Sequence, residues 1–147
     1  MRGEVHDENS AVMGGVSSHA GLFGTAEAVA RAAGTWLAAV RGDASSIPAP
    51  WAKEFVRRQG IDPNGSWALG WDTPSTGSGG APSSSGAFFS PASFGHLGYA
   101  GTSVWIDPER ELIVVLLTNR VHPTRKNDQI RAFRPAIHDV IFQTVVG

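Results

Sequence analysis

The chain has 147 residues and a mass of 15.5 kDa, the size of one ordinary domain. Hydrophobic residues make up 41% and charged residues 17%, with 12 Lys and Arg against 13 Asp and Glu. That is too apolar for a disordered chain and too evenly charged for a nucleic-acid binder relying on bulk charge. No run of about 18 apolar residues offers a membrane span, the polar stretch through Asn9 lacks a secretion signal's apolar core, and with no Cys there are no disulfides, thiol nucleophiles or Cys-based zinc sites.

Thr25 reads as the N-cap of a helix, with Glu27 in its first turn and Val29, Ala33, Trp36, Leu37 and Val40 on one apolar stripe; Gly42 is a natural stop. A shorter helix is predicted over 50–59, with Pro48 and Pro50 at its start, Trp51, Phe55 and Val56 facing inward, and Gly60 ending it. From Ser66 the period changes. Trp67, Leu69 and Trp71 alternate with Ala68 and Gly70, which predicts a strand burying one large face. Residues 73–93, loaded with Gly, Ser, Pro and Ala, read as a mobile loop.

Short strands are predicted over 94–98 and 102–107. Asp107-Pro108-Glu109-Arg110 is a turn with Pro at its second position, leading into a strand over 111–118. Its stretch Leu112-Ile113-Val114-Val115-Leu116-Leu117 lacks alternation, which predicts a central strand covered on both faces. Ile137, Val140, Ile141 and Val145 form a last helical stripe, with Pro135 in the first turn. The order is helix, helix, an antiparallel meander of three to five strands, and a closing helix: an α+β fold in a single domain over 1–147.

The chain has no Gly-x-Gly-x-x-Gly after a strand, no P-loop and no Gly-x-Ser-x-Gly elbow, so no cofactor is predicted. His6, His19, His96, His122 and His138 lack metal-ligand spacing, so no metal is predicted either. His6-Asp7 and His138-Asp139 read as capping or solvent-facing pairs. Two glycine-dense segments stand out. One, 14–23, precedes the first long helix, where glycine permits close backbone approach and a helix N-terminus offers free N–H groups to an anion; His19 and Gly21 are its candidate substrate-binding residues. The other, 94–103, holds Gly95, Gly98 and Gly101 around His96. Glycines are costly in a strand and its turn, so something must approach the backbone there.

Together the motifs resemble the C-terminal part of the serine β-lactamase and penicillin-binding-protein superfamily, on its class C-like branch with esterases and DD-peptidases. Val5-His6-Asp7-Glu8-Asn9, His19-Ala20-Gly21-Leu22-Phe23, Trp67-Ala68-Leu69-Gly70-Trp71, Phe94-Gly95-His96-Leu97-Gly98 and Leu116-Leu117-Thr118-Asn119-Arg120 follow that family's order. His96-Leu97-Gly98 matches the third active-site motif, Lys-Thr-Gly or His-x-Gly. The resemblance implies that His96 lies beside the nucleophile, that Gly98 lets the acyl group approach, and that the Tyr99 N–H is an oxyanion-hole donor. Leu97 stands where Thr is common, removing a hydroxyl that often contacts a substrate carboxylate.

The family's nucleophile motif, Ser-x-x-Lys, is missing: Lys53 and Lys126 follow Pro50 and Pro123 at that offset. Tyr-x-Asn is missing too, since Tyr99 precedes Ala100 and Gly101. A hydroxyl without a base is a poor nucleophile. The expectation is a C-terminal fragment of a serine hydrolase, inactive on small acyl substrates unless complemented. The strand over 111–118 is then left with an open edge for self-association or for a partner chain carrying Ser-x-x-Lys. The alternatives are a noncatalytic binding or assembly module, and a hydrolase using Ser18 or Ser103 with His19 or His96. No nucleic-acid partner or membrane span is expected; substrate and compartment stay open.

Overall fold

The computed structural model describes residues 3–75 and 82–147. The first element, α1 (Glu8–Val12), lies where the sequence reads only as polar: Asp7 caps it by accepting from the Ser10 N–H at 2.8 Å. The long helix α2 (Ala26–Arg41) matches its prediction at both ends. Thr25 accepts from the Ala28 N–H, and Gly42 closes the helix in the left-handed conformation at φ +87°.

Helix α3 (Ala49–Val56) stops before Gly60, because Arg57 takes an extended backbone. Its inward face also differs from expectation. Fully buried Ala52 lets α3 pack closely on α2, which turns Trp51 into solvent at 64% exposure and leaves Phe55 only edging Trp36 at 6.0 Å.

The predicted strand at Ser66 is instead a tight hairpin. Ala68 N–H donates to Trp71 O at 2.9 Å, Trp67 bridges to Asp72, and Asp72 exchanges both backbone hydrogen bonds with Gly95 at 2.8 and 2.9 Å. The chain reverses between Ala68 and Trp71, so the alternating large residues do not share a face. Trp71 enters the core edge-on to Phe94 and Trp36, while Trp67 and Leu69 stay exposed.

Three strands follow: β1 (Phe94–Leu97), β2 (Ser103–Asp107) and β3 (Leu112–Leu116). They form an antiparallel sheet in the order β1-β2-β3, with Gly95 opposite Trp105 and Trp105 opposite Val114. Among the described residues the central strand is therefore β2, not the unbroken apolar run of β3, which forms an edge. One face carries Phe94, Ile106 and Ile113 under α2; the other carries Trp105, Val114 and Leu97 under Phe89 and Phe142. Both faces of β3 are covered even though its outer edge is not, and this explains its lack of alternation.

The turn from β2 to β3 is the predicted one, organised by fully buried Asp107. Its carboxylate accepts from the Ser90 N–H and hydroxyl, the Glu109 and Arg110 N–H groups and the Arg110 guanidinium. Ser85, Phe89, Ser90 and Ser93 are buried, so residues 82–93 are packed structure rather than a mobile loop; residues 76–81 of that predicted loop lie outside the described residues. The last helix, α4 (Ile130–Val145), starts earlier than predicted and holds Pro135 inside it. Its buried face is Arg134, Pro135, His138 and Phe142, whereas Val140 and Val145 are exposed. The helix turns this mixed face inward because its polar members find buried partners on β2 and the turn before it.

Candidate functional site

The three glycines around His96 are explained by the protein's own packing. A Cβ on Gly95 would collide with the Val104 carbonyl oxygen and lie 2.6 Å from Trp105 Cδ2; one on Gly98 would collide with Thr102 Oγ1, and one on Gly101 with Thr118 Oγ1. Something does approach the backbone here, but it is Trp105, Thr102 and Thr118.

On that glycine-lined strand His96 is exposed. Its Nδ1 lies 3.1 Å from the Leu97 carbonyl, which can only accept, so the proton of that hydrogen bond sits on Nδ1. The imidazole lies beside the Trp67 indole, with ring centroids 6.0 Å apart. Leu97 points to the opposite face and packs against the Phe89–Trp105–Phe142 cluster. Its side chain is thus first a core residue, and only its remaining surface meets the pocket described below.

Tyr99 follows in the turn to β2, 60% exposed. Its N–H meets no acceptor among the described residues. Its carbonyl accepts from Arg120 Nε at 2.7 Å, the Arg120 guanidinium lies 4.4 Å over its ring, and His6 stacks on the ring at 6.0 Å. The turn is held from below by Arg134, whose Nη2 donates to Gly98 O at 2.6 Å and Thr102 O at 2.9 Å.

These groups border a pocket of about 400 Å³ lined by Leu97, Gly98, Tyr99, Arg120, Asp128, Ile130, Arg131 and Arg134. Arg120 donates from Nε and Nη1, and Arg134 from Nη2, to neutral carbonyls, and neither pairs with a carboxylate among the described residues. Arg134 is 8% exposed, and its Nε is a buried donor with no partner there. Burial, and then the charge of Arg120, lower its pKa, though a guanidinium stays protonated. With three arginines against the one carboxylate of Asp128, the lining carries a net positive charge, which favours an anion.

The other glycine-dense segment is tied down by Asp7. His19 Nε2 lies 2.9 Å from Asp7 Oδ1 and its Nδ1 lies 3.1 Å from Ser17 Oγ. The Ser10 N–H and then His19 hold the Asp7 carboxyl below the usual range. A Cβ on Gly21 would collide with the Gly15 carbonyl oxygen. The hydroxyl that meets His19 is therefore that of Ser17, not Ser18. Ser103 does not meet His96 either: its Oγ lies 3.3 Å from Nε2 of buried His138. No three His, Asp or Glu side chains among the described residues could share a metal ion.

A family model described as Beta-lactamase matches residues 2–137. The chain belongs to the beta-lactamase family. It is 35% identical over 122 residues to the "Putative D-alanyl-D-alanine carboxypeptidase" of Escherichia coli O157:H7, covering 82% of this chain and 27% of that protein. It is 33% identical over 130 residues to the protein of the same name from Salmonella agona (strain SL483), covering 87% of this chain and 29% of that protein. The chain thus spans under a third of these relatives' length. The crystal structure of a beta-lactamase from Mycobacterium bovis superposes with a TM-score of 0.62 at 26% identity, over 79% of this chain and 42% of that one.

Within this beta-lactamase-family fold, β1 and its turn bring His96, Leu97, Gly98 and Tyr99 to one end of the sheet, and His19 and Gly21 reach it only indirectly. Asp7, which holds His19, adjoins His6, which stacks on Tyr99. Asp7 does cap a helix, as its pairing with His6 suggested, but His138 is fully buried rather than solvent-facing. Sequence reasoning missed Trp67, Arg120, Arg131 and Arg134. Arg120 and Trp67 stand in motifs that carry the resemblance, but neither is assigned a binding role there and Trp67 reads as a core residue; Arg131 and Arg134 have no local pattern.

Proposed function

We propose that this chain forms the His-x-Gly wall of a serine acyl-transfer site acting on ester, amide or β-lactam substrates that carry a carboxylate. It is a C-terminal portion of a β-lactamase-like hydrolase, inactive by itself. In this reading His96 polarises the substrate beside a nucleophile carried by another polypeptide segment with Ser-x-x-Lys. The Tyr99 N–H donates to the developing oxyanion, and Arg120 and Arg131 receive the carboxylate that Leu97 has no hydroxyl to bind. His19 and Gly21 position the segment that reaches Tyr99 through His6. The observation that carries the reading is the exposed His96 three residues before Tyr99, which lines the arginine-bearing pocket and whose N–H meets no acceptor among the described residues. The relatives' printed name, with D-alanyl-D-alanine and its terminal carboxylate, supports the substrate class.

Intact-mass measurement after incubation with a fluorophosphonate and with a penicillin tests this. The chain alone is expected to form no adduct, and adding a polypeptide with Ser-x-x-Lys and Tyr-x-Asn from a relative is expected to restore one that His96→Ala weakens. A stoichiometric adduct on Ser17, Ser18 or Ser103 of the chain alone would overturn the reading. A second reading, an assembly module that associates through its sheet, is favoured by the position of β3 at the sheet edge.

A further inference from the structure

We infer that Trp67 is a fixed apolar shelf beside His96 that receives the apolar acyl chain or ring of the substrate, opposite the end that carries the carboxylate. This deepens the proposed function and rests on it. Trp67 is 59% exposed, although its neighbours Ala68 and Trp71 are packed inward. An indole left in water forgoes the burial that its apolar area favours.

Its position is nevertheless fixed. The Trp67 carbonyl accepts from the Gln59 N–H at 3.0 Å, the Thr73 N–H and hydroxyl donate to the neighbouring Ser66 carbonyl at 2.9 and 2.6 Å, and the Trp67–Asp72 bridge is joined through Asp72 to Gly95, the residue before His96. The hairpin thus extends the sheet beyond β1 and sets the indole against the exposed imidazole. Preorganisation of this kind lowers the ordering cost of binding. The indole face is electron-rich, so it favours an apolar or aromatic group and disfavours an anion, whereas the pocket past Gly98 carries three arginines against one carboxylate, Asp128. The two sides of the strand end therefore orient a substrate that is apolar at one end and anionic at the other.

The test is a ¹H–¹⁵N NMR titration of the 147-residue chain with N-acetyl-, N-butanoyl- and N-hexanoylglycine. The Trp67 indole resonance is assigned by its loss in Trp67→Phe. The expected result is a shift of that resonance and an affinity that rises about twofold per methylene, half the transfer free energy of a fully buried one. Trp67→Phe keeps most of this slope, and Trp67→Ala and Trp67→Gln abolish it. An equal slope in wild type and in Trp67→Ala, or no shift of the Trp67 resonance, overturns the shelf. Arg131→Gln separates the two ideas. Weaker binding of all three ligands with the slope intact supports the orientation; no effect of Arg131→Gln beside a Trp67-dependent slope removes the carboxylate placement and leaves the shelf standing.

Discussion

Gly95 has no room for a methyl group, and its replacement is the sharpest test at the scale of one residue. Gly95→Ala would drive a Cβ into the Val104 carbonyl and the Trp105 indole, and neither can retreat: one is ladder backbone, the other a fully buried ring. Overpacking of this kind costs about 1–3 kcal/mol, to be read as a lower urea midpoint with an unchanged m-value. Asp107 is the electrostatic counterpart. Burial by itself would raise its pKa, but hydrogen bonds from Ser90 and Arg110 outweigh that and hold it below the ordinary value. Asp107→Asn replaces one acceptor oxygen with an NH2 donor that faces the Ser90 and Arg110 donors, and about 2–4 kcal/mol of destabilisation is expected in the same denaturation experiment.

At the scale of elements, α2 and α4 contrast. Every signal that defines α2 is local: the Thr25 cap, the apolar stripe and the Gly42 stop lie within the helix or next to it. The inward face of α4 includes Arg134 and His138, polar residues that become core only because Gly98, Thr102, Ser103 and Ser84 supply partners from 32 to 54 residues away. The hydrophobic stripe is therefore only a partial guide to the inward face: Ile141 packs against the core, while Val140 and Val145 are exposed. Phe142 is the apolar anchor of that face, against Phe88 and Phe89 and under the Arg110 guanidinium at 5.1 Å. Phe142→Ala is expected to cost about 3–5 kcal/mol, several times the roughly 1 kcal/mol of Thr25→Ala at the cap of α2; thermal denaturation of both variants compares them.

For the molecule as a whole, His138 sets the response to pH. Its Nδ1–H donates to Ser84 O at 2.8 Å, Ser103 lies on Nε2, Phe89 lies edge-on, and Arg134 and Asp139 are the charged groups near it. Burial, partly countered by the Ser84 contact, lowers its pKa below 6.5. The unfolded chain then binds a proton that the folded one refuses. Stability is complete above about pH 6.5 and declines as pH falls below it toward the folded pKa, by at most about 1.4 kcal/mol per pH unit. Thermal midpoints between pH 7.5 and roughly 5 should fall in wild type by more than in His138→Gln. The open β3 edge belongs to the same scale. Light scattering at increasing concentration is expected to detect association that Leu117→Lys, next to that edge, reduces; a monodisperse monomer throughout would remove the assembly reading.

The amino-acid sequence by itself determined α2, the three strands with their connecting turn, the α+β order and the ordered motifs that mark the beta-lactamase family. All of these depend on caps, periodicity and turn chemistry within a few residues. Only the tertiary structure decided that β2 rather than β3 is central, that residues 82–93 are packed, and that Trp67 stands beside His96 rather than in the core. The arginine pocket beside Tyr99 likewise joins residues from β1, the segment after β3 and α4. Hydrogen bonds and contacts between distant segments fix these features, and spacing along the chain carries no record of them.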